Sequence, residues 1–162
     1  MVVEDNEINL LVIQKMLEAE GHKVTTAMDG RSGVEQASDH VFDAVLMDIS
    51  MPVMDGLTAT KHIREGAGKS ANATIIAVSA NVLPGAVEKF HEVGMNAFVS
   101  KPIDIASLRK ALRLVSGDDA YGIGVAATES RLEQMREDLG DATFNRLLGH
   151  SLLNRQTRWW SG

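Results

Sequence analysis

Five short aliphatic runs, each followed by a stretch of helical periodicity, constrain this chain more than any other feature. The runs are Met1–Val3, Lys23–Thr26, Ala44–Met47, Ile75–Val78 and Ala97–Val99. The helical stretches are Glu7–Glu20, Arg31–His40, Leu57–Glu65, Gly85–Val93 and Ile105–Val115. Strands separated by helices of this length cannot pair as hairpins; each connection crosses over, and the sheet becomes parallel. Gly21 stands where a left-handed residue closes the first helix, and Asp29-Gly30 marks a turn before the second. Pro84 lies near the start of the fourth helix, where a missing N–H is tolerated. With 44% hydrophobic but only 4% aromatic residues, the core has to be built from Val, Ile, Leu and Met.

Chemistry-bearing residues recur at the ends of these strands. Glu4-Asp5 follows the first run, Asp48 the third, Ser79 the fourth and Lys101 the fifth. In an open parallel sheet the carboxyl ends of the strands form one rim, and ligands bind there. Four separate segments then deliver three carboxylates, one hydroxyl and one ammonium to a single place. Clustered carboxylates repel one another unless a cation sits among them, and an all-oxygen set favours Mg²⁺. The pattern reads as a Mg²⁺-dependent phosphoryl acceptor, a chemistry that rests on positioning and electrostatics. Asp48 is the candidate nucleophile, because it ends the most apolar strand. Glu4 and Asp5 would hold Mg²⁺ directly or through water, with the backbone carbonyl of Ser50 completing the protein's share. Lys101 would pair with Asp48 and then with the transferred phosphoryl oxygens, and Ser79 would donate its hydroxyl to another. Each residue also has a plainer explanation. Glu4-Asp5 could be helix N-terminal charge, Asn6 a cap, Asp48 a loop cap, Ser79 a small strand residue and Lys101 a surface cation. Singly the plainer explanation wins; jointly it requires four strand ends to match by chance.

A net charge of −6 argues against nucleic acid as partner, since binding a phosphate backbone rests on a basic face. No apolar stretch approaches the ~20 residues that cross a bilayer, so no direct membrane contact is expected. The start leaves no room for a signal peptide, and zero cysteines removes disulfides and thiolate chemistry. A cytoplasmic setting is the expectation, with a membrane-anchored parent left open. Residues 116–128, rich in Gly and Asp, read as a linker, and 129–162 as a helical extension. The short first strand and the paired Trp159-Trp160 suggest a chain cut from something longer.

The segments Val3-Glu4-Asp5-Asn6, Met47-Asp48-Ile49-Ser50-Met51-Pro52-Val53-Met54-Asp55-Gly56, Ser79-Ala80-Asn81 and Lys101-Pro102 resemble the receiver domain of two-component response regulators. The likeness spans residues 1 to about 115, in order and spacing. It implies a flavodoxin-like α/β fold: a five-stranded parallel sheet in order 2-1-3-4-5 with five helices, here followed by a short helical tail. It implies that Asp48 is phosphorylated by a phosphohistidine, that Glu4 and Asp5 serve Mg²⁺, and that Ser79 and Lys101 contact the phosphoryl group. It further implies a cis Lys101–Pro102 bond and a switch in which Phe98 moves with Ser79; the plainer reading of Phe98 is a strand core residue. Ser50 and Asn81 stand where receivers vary phosphate lifetime, and neither blocks water, so a lifetime of minutes or less is expected.

The expected partner is a histidine kinase or a histidine phosphotransfer domain. At about 100° per residue, Leu10, Val12, Ile13, Met16 and Leu17 share one arc of the first helix, the expected core face. Ile8 and Leu11 fall outside it beside Lys15, a candidate docking surface. Pairing of two receivers through the fourth helix, fifth strand and fifth helix is also open. Residues 131–153 resemble the opening helices of a phosphotransfer domain, though His150 lacks the following Lys-Gly and is given no phosphoryl role. The parent is then expected to be a hybrid sensor kinase or phosphorelay protein. Two other classes compete: an aspartyl-phosphate-forming Mg²⁺-dependent phosphatase, and a receiver used only for binding. Phosphatases of that type carry a second acid two residues past the nucleophile, where this chain has Ser50.

Overall fold

In the computed structural model the described residues are 1–80 and 85–113. Asn81, Pro84, the linker and the helical extension with His150 lie outside them. The elements run β1 (Val2–Val3), α1 (Glu7–Ala19), β2 (Thr26–Ala27), α2 (Gly30–Asp39), β3 (Ala44–Asp48), α3 (Gly56–Glu65), β4 (Thr74–Ser79), α4 (Ala86–Glu92), β5 (Ala97–Ser100) and α5 (Ile105–Leu112). All strand pairs are parallel, and the order is β2-β1-β3-β4-β5, as expected. Lys101–Pro102 is cis, also as expected.

Side-chain alternation along the strands builds two cores. Val3, Val45, Met47, Ile75 and Ala77 point to the face covered by α2, α3 and α4, where Ala37, Ala59, Ile63 and Phe90 meet them. Val2, Leu46, Ile76, Val78 and Val99 point to the other face and pack on Leu10, Ile13 and Leu17 of α1 and Leu108 and Ala111 of α5. The central strands are buried on both sides, which is why they read as unbroken aliphatic runs rather than alternating ones.

Helix starts are set by local side-chain hydrogen bonds. Asn6 accepts from the N–H groups of Ile8 and Asn9, Asp29 from Ser32, Asp55 from Thr58 and Asp104 from Ser107. Gly21, just past the end of α1, has φ +85, as its predicted left-handed role requires.

Two sequence expectations are corrected. The second strand covers Thr26–Ala27 rather than Lys23–Thr26. It is an edge strand whose one neighbour, β1, is two residues long, so the register Val2↔Thr26 and Val3↔Ala27 decides which residues are strand. On α1, Val12 is 46% exposed instead of buried. The buried stripe is Leu10, Ile13 and Leu17, and Val12 sits about 100° round from Ile13, beyond the sheet's reach.

The start of α3 is pressed against the end of β3. A Cβ at Gly56 would lie 2.1 Å from the carbonyl oxygen of Asp48, and the Gly56 N–H donates to Ile49 O at 3.1 Å. Gly56→Ala should therefore destabilise the domain by about 1–3 kcal/mol, the usual range for forced overpacking. Urea unfolding checks this, and a variant as stable as the parent would mean the α3 start relaxes freely.

Candidate functional site

The parallel register carries the predicted residues to one rim. Asp48 closes the central strand β3 opposite Val78, and Ser79 is the next residue along the neighbouring strand β4. Ser79 faces Ser100 across β4 and β5, and the Lys101 N–H donates to Ser79 O at 2.8 Å, bringing Lys101 alongside. On the other flank, β1 pairs with β3 through Val2↔Leu46 and Val3↔Met47, which puts Glu4 beside Asp48.

Side-chain geometry joins these residues into one charged group. Lys101 Nζ lies 2.7 Å from Asp48 Oδ2 and 2.8 Å from Glu4 Oε2. The Ser50 N–H donates to the other Asp48 oxygen, Oδ1, at 3.1 Å. Carboxylate oxygens of Glu4, Asp5 and Asp48 all lie within 4.8 Å of one another. Glu4 and Asp48 are almost fully buried, at 1% and 2% exposed, while Asp5 is on the solvent side. Ser79 is buried at the end of β4.

Burial, followed by the proximity of Glu4, raises the Asp48 carboxyl above its ordinary value, against the opposing hydrogen bonds from Lys101 and Ser50. For Lys101, burial acts to lower the ammonium; hydrogen bonds to Asp48 and Glu4 outweigh it and hold the group above its ordinary value. Lys101 is thus a cation fixed between Asp48 and Glu4, and with Asp5 close to both acids the cluster carries more negative charge than one ammonium balances. An all-carboxylate donor set with one solvent-facing member suits a small hard divalent cation that keeps part of its water shell.

Sequence reasoning placed Asp48, Glu4, Asp5, Ser79 and Lys101 together, and the structure does bring them together. Ser50 enters through its N–H. Phe98 lies on β5, half-buried against the core, with its ring 6.4 Å from that of Phe90. Ile8 and Leu11 are exposed at 74% and 54%, and Lys15 is occupied by an ion pair with Glu18 at 2.6 Å. Two contacts were missed. One is the Glu4–Lys101 pair. The other is Asn9, whose side-chain amide donates to Glu4 Oε1 at 3.0 Å. Its place one helical turn after the acid pair was the available signal, but an amide on an exposed helix position seldom marks a site.

Residues 1–113 match the response regulator receiver domain family. The chain belongs to that family, and so is a receiver domain of two-component signalling. It is 38% identical over 111 residues to hybrid signal transduction histidine kinase G of Dictyostelium discoideum, covering 67% of this chain and 3% of that kinase. It is 31% identical over 118 residues to the polar-differentiation response regulator DivK of Brucella anthropi, covering 73% of this chain and 95% of that protein. Among solved structures, it is similar to the receiver domain of a sensor histidine kinase from Pseudomonas aeruginosa PAO1, which has a magnesium ion coordinated in its active-site cleft. That match has a TM-score of 0.65 and 40% identity, over 71% of this chain and 94% of that one. Chemotaxis protein CheY4 of Vibrio cholerae matches with TM-score 0.66 and 27% identity, over 70% and 94% of the two chains.

The raised Asp48 value has a consequence for stability. The unfolded carboxyl titrates near 3.8 and the folded one higher, so between those values the folded chain binds more protons and stability falls as pH rises. Above both, the full cost of ionising Asp48 is present. Without divalent cations, Asp48→Asn should be more stable than the parent at neutral pH, and the gap should close as pH falls through 3.8. Thermal unfolding in EDTA across that range tests it; a gap that widens in acid would reverse the sign.

Proposed function

We propose that this receiver takes a phosphoryl group from a phosphohistidine onto Asp48, with Mg²⁺ held by Glu4, Asp5, Asp48 and the carbonyl of Ser50. The observation that carries the reading is the Lys101 ammonium 2.7 Å from Asp48 beside buried Glu4 and solvent-facing Asp5. A carboxylate oxygen of Asp48 attacks phosphorus, the P–N bond of the donor breaks, and the imidazole nitrogen keeps the electron pair and takes up a proton. Bound Mg²⁺ would supply charge neutralisation for the phosphoryl oxygens. Lys101, already desolvated and charged, offers a second positive group where negative charge moves onto Asp48. Ser79 donates its hydroxyl to a phosphoryl oxygen, and Phe98, on the strand beside it, moves with that shift. Water then hydrolyses the acyl phosphate; exposed Ser50 leaves it a path, so the phosphorylated form is short-lived.

The partner is a histidine-bearing helical domain of a kinase or phosphotransfer protein, docking on the aliphatic face of α1. Ile8, Leu11 and Val12 are all exposed there, a wider patch than the sequence led one to expect. A cytoplasmic setting, a hybrid-kinase parent and pairing of two receivers through α4, β5 and α5 belong to the same proposal.

With a small acyl phosphate and Mg²⁺, the parent chain should take label, Asp48→Ala none, and Lys101→Ala should react about a hundredfold more slowly. EDTA should abolish labelling. Label retained in Asp48→Ala, measured by acid-labile phosphate, would remove Asp48 from its role. Replacing Ile8 and Leu11 by Asp should slow transfer from a phosphorylated phosphotransfer domain by about tenfold or more, as loss of an apolar anchor does, while acyl phosphate labelling stays unchanged. Equal loss of both would place docking elsewhere. A phosphoaspartate half-life of a day would contradict the short lifetime.

A further inference from the structure

Glu4 is the most enclosed acid of the site, yet one of its two oxygens is held by a residue outside the rim. Its Oε2 faces Lys101 Nζ at 2.8 Å, and its Oε1 accepts from Asn9 Nδ2 at 3.0 Å. A carboxylate at 1% exposure requires partners on both oxygens, because an unpaired buried charge is costly. Asn9 stands in the first turn of α1, and its own N–H is fixed by Asn6 Oδ1 at 3.0 Å. The amide is therefore held at both ends: by the helix cap through its main chain, and by Glu4 through its side chain.

The contacts run in series. Asn9 holds Glu4, Glu4 and Asp48 together hold Lys101, and Ser50 holds the far oxygen of Asp48. We infer that Asn9 is a positioning residue for the divalent-cation site, orienting the Glu4 carboxylate so that Lys101 is shared between Glu4 and Asp48. With the amide removed, Glu4 is free to turn. Lys101 then settles on Asp48 alone and competes with the cation for that oxygen. Asn9 is exposed and Ala is the better helix former, so α1 itself persists without the amide. Asn9 also lies on the helix whose exposed Ile8, Leu11 and Val12 form the docking face.

This inference rests on Asp48, Glu4 and Asp5 forming a Mg²⁺ site. The test is isothermal calorimetry of Mg²⁺ binding at neutral pH, with urea unfolding in EDTA as the fold control, for the parent chain, Asn9→Ala and Asn9→Gln. Loss of an outer hydrogen-bond partner of a metal-site acid weakens metal binding by about tenfold or more. Asn9→Ala should show that loss, and Asn9→Gln, which keeps the amide donor, should recover most of it. Asn9→Ala binding Mg²⁺ within about twofold of the parent would overturn the inference. So would equal losses in Ala and Gln, because the amide would then not be the cause. A parent chain that binds no Mg²⁺ at all would instead overturn the underlying reading of the site.

Discussion

Two carboxylates and one ammonium share a nearly dry volume at the end of the central strand. Asp48 and Glu4 both lie against Lys101 Nζ, at 2.7 and 2.8 Å. Buried like charges would drive β1 and β3 apart without that ammonium, and the ammonium would not turn inward without the acids. Removing the ammonium from such a group leaves two buried acids unbalanced, at a cost of about 3–5 kcal/mol, whereas the intact group contributes little net stability. Its value is positional. It draws the ends of β1, β3 and β5 together and leaves an excess of negative charge facing water through Asp5.

The rest of the molecule serves to hold that arrangement still. The central strands are clamped between α1 and α5 on one face and α2, α3 and α4 on the other. Gly56 lets α3 begin against the Asp48 carbonyl, which pins the loop after β3. On the β4–β5 side, Arg64 of α3 donates to Gly94 O at 3.0 and 2.8 Å, to Ala71 O at 2.7 Å and to Asn96 Oδ1 at 3.0 Å. Asn96 in turn accepts from the Ile75 N–H at 2.8 Å. One guanidinium thus ties the turn into β5 to the entry of β4, at the opposite end of the strands from the charged rim. On the far face, Arg109 of α5 grips Glu20 just after α1 with two bonds of 2.7 Å. That pair is solvent-exposed and adds little to stability, so it adjusts the helix ends more than it stabilises them.

The exposed aliphatic face of α1 and the charged rim are physically continuous through that helix. One side of this helix is core, the opposite side presents Ile8, Leu11 and Val12, and its first turn carries Asn9 toward Glu4. A receiver needs its donor close to the acceptor carboxylate, and a helix that starts at the rim meets that need by geometry alone. The N-terminal end of α1 also contributes its positive dipole near the acids, a modest effect in the same direction as Lys101.

The aliphatic runs, their spacing and their polar ends were enough to determine a parallel sheet and the residues at its rim, because both follow from local pattern and connection length. The strand order and the cis Lys101–Pro102 bond came from family likeness, and the structure agrees. Three things depended on tertiary structure. The second strand shifted to Thr26–Ala27, since an edge strand takes its limits from its neighbour's register rather than from its own alternation. Val12 fell outside the core because the width of a helix's buried stripe is set by what it packs on. The pairing of Glu4 with both Lys101 and Asn9 could not be read from the chain either: a side chain's partners depend on where three different elements end in space, and a one-dimensional pattern holds no distances.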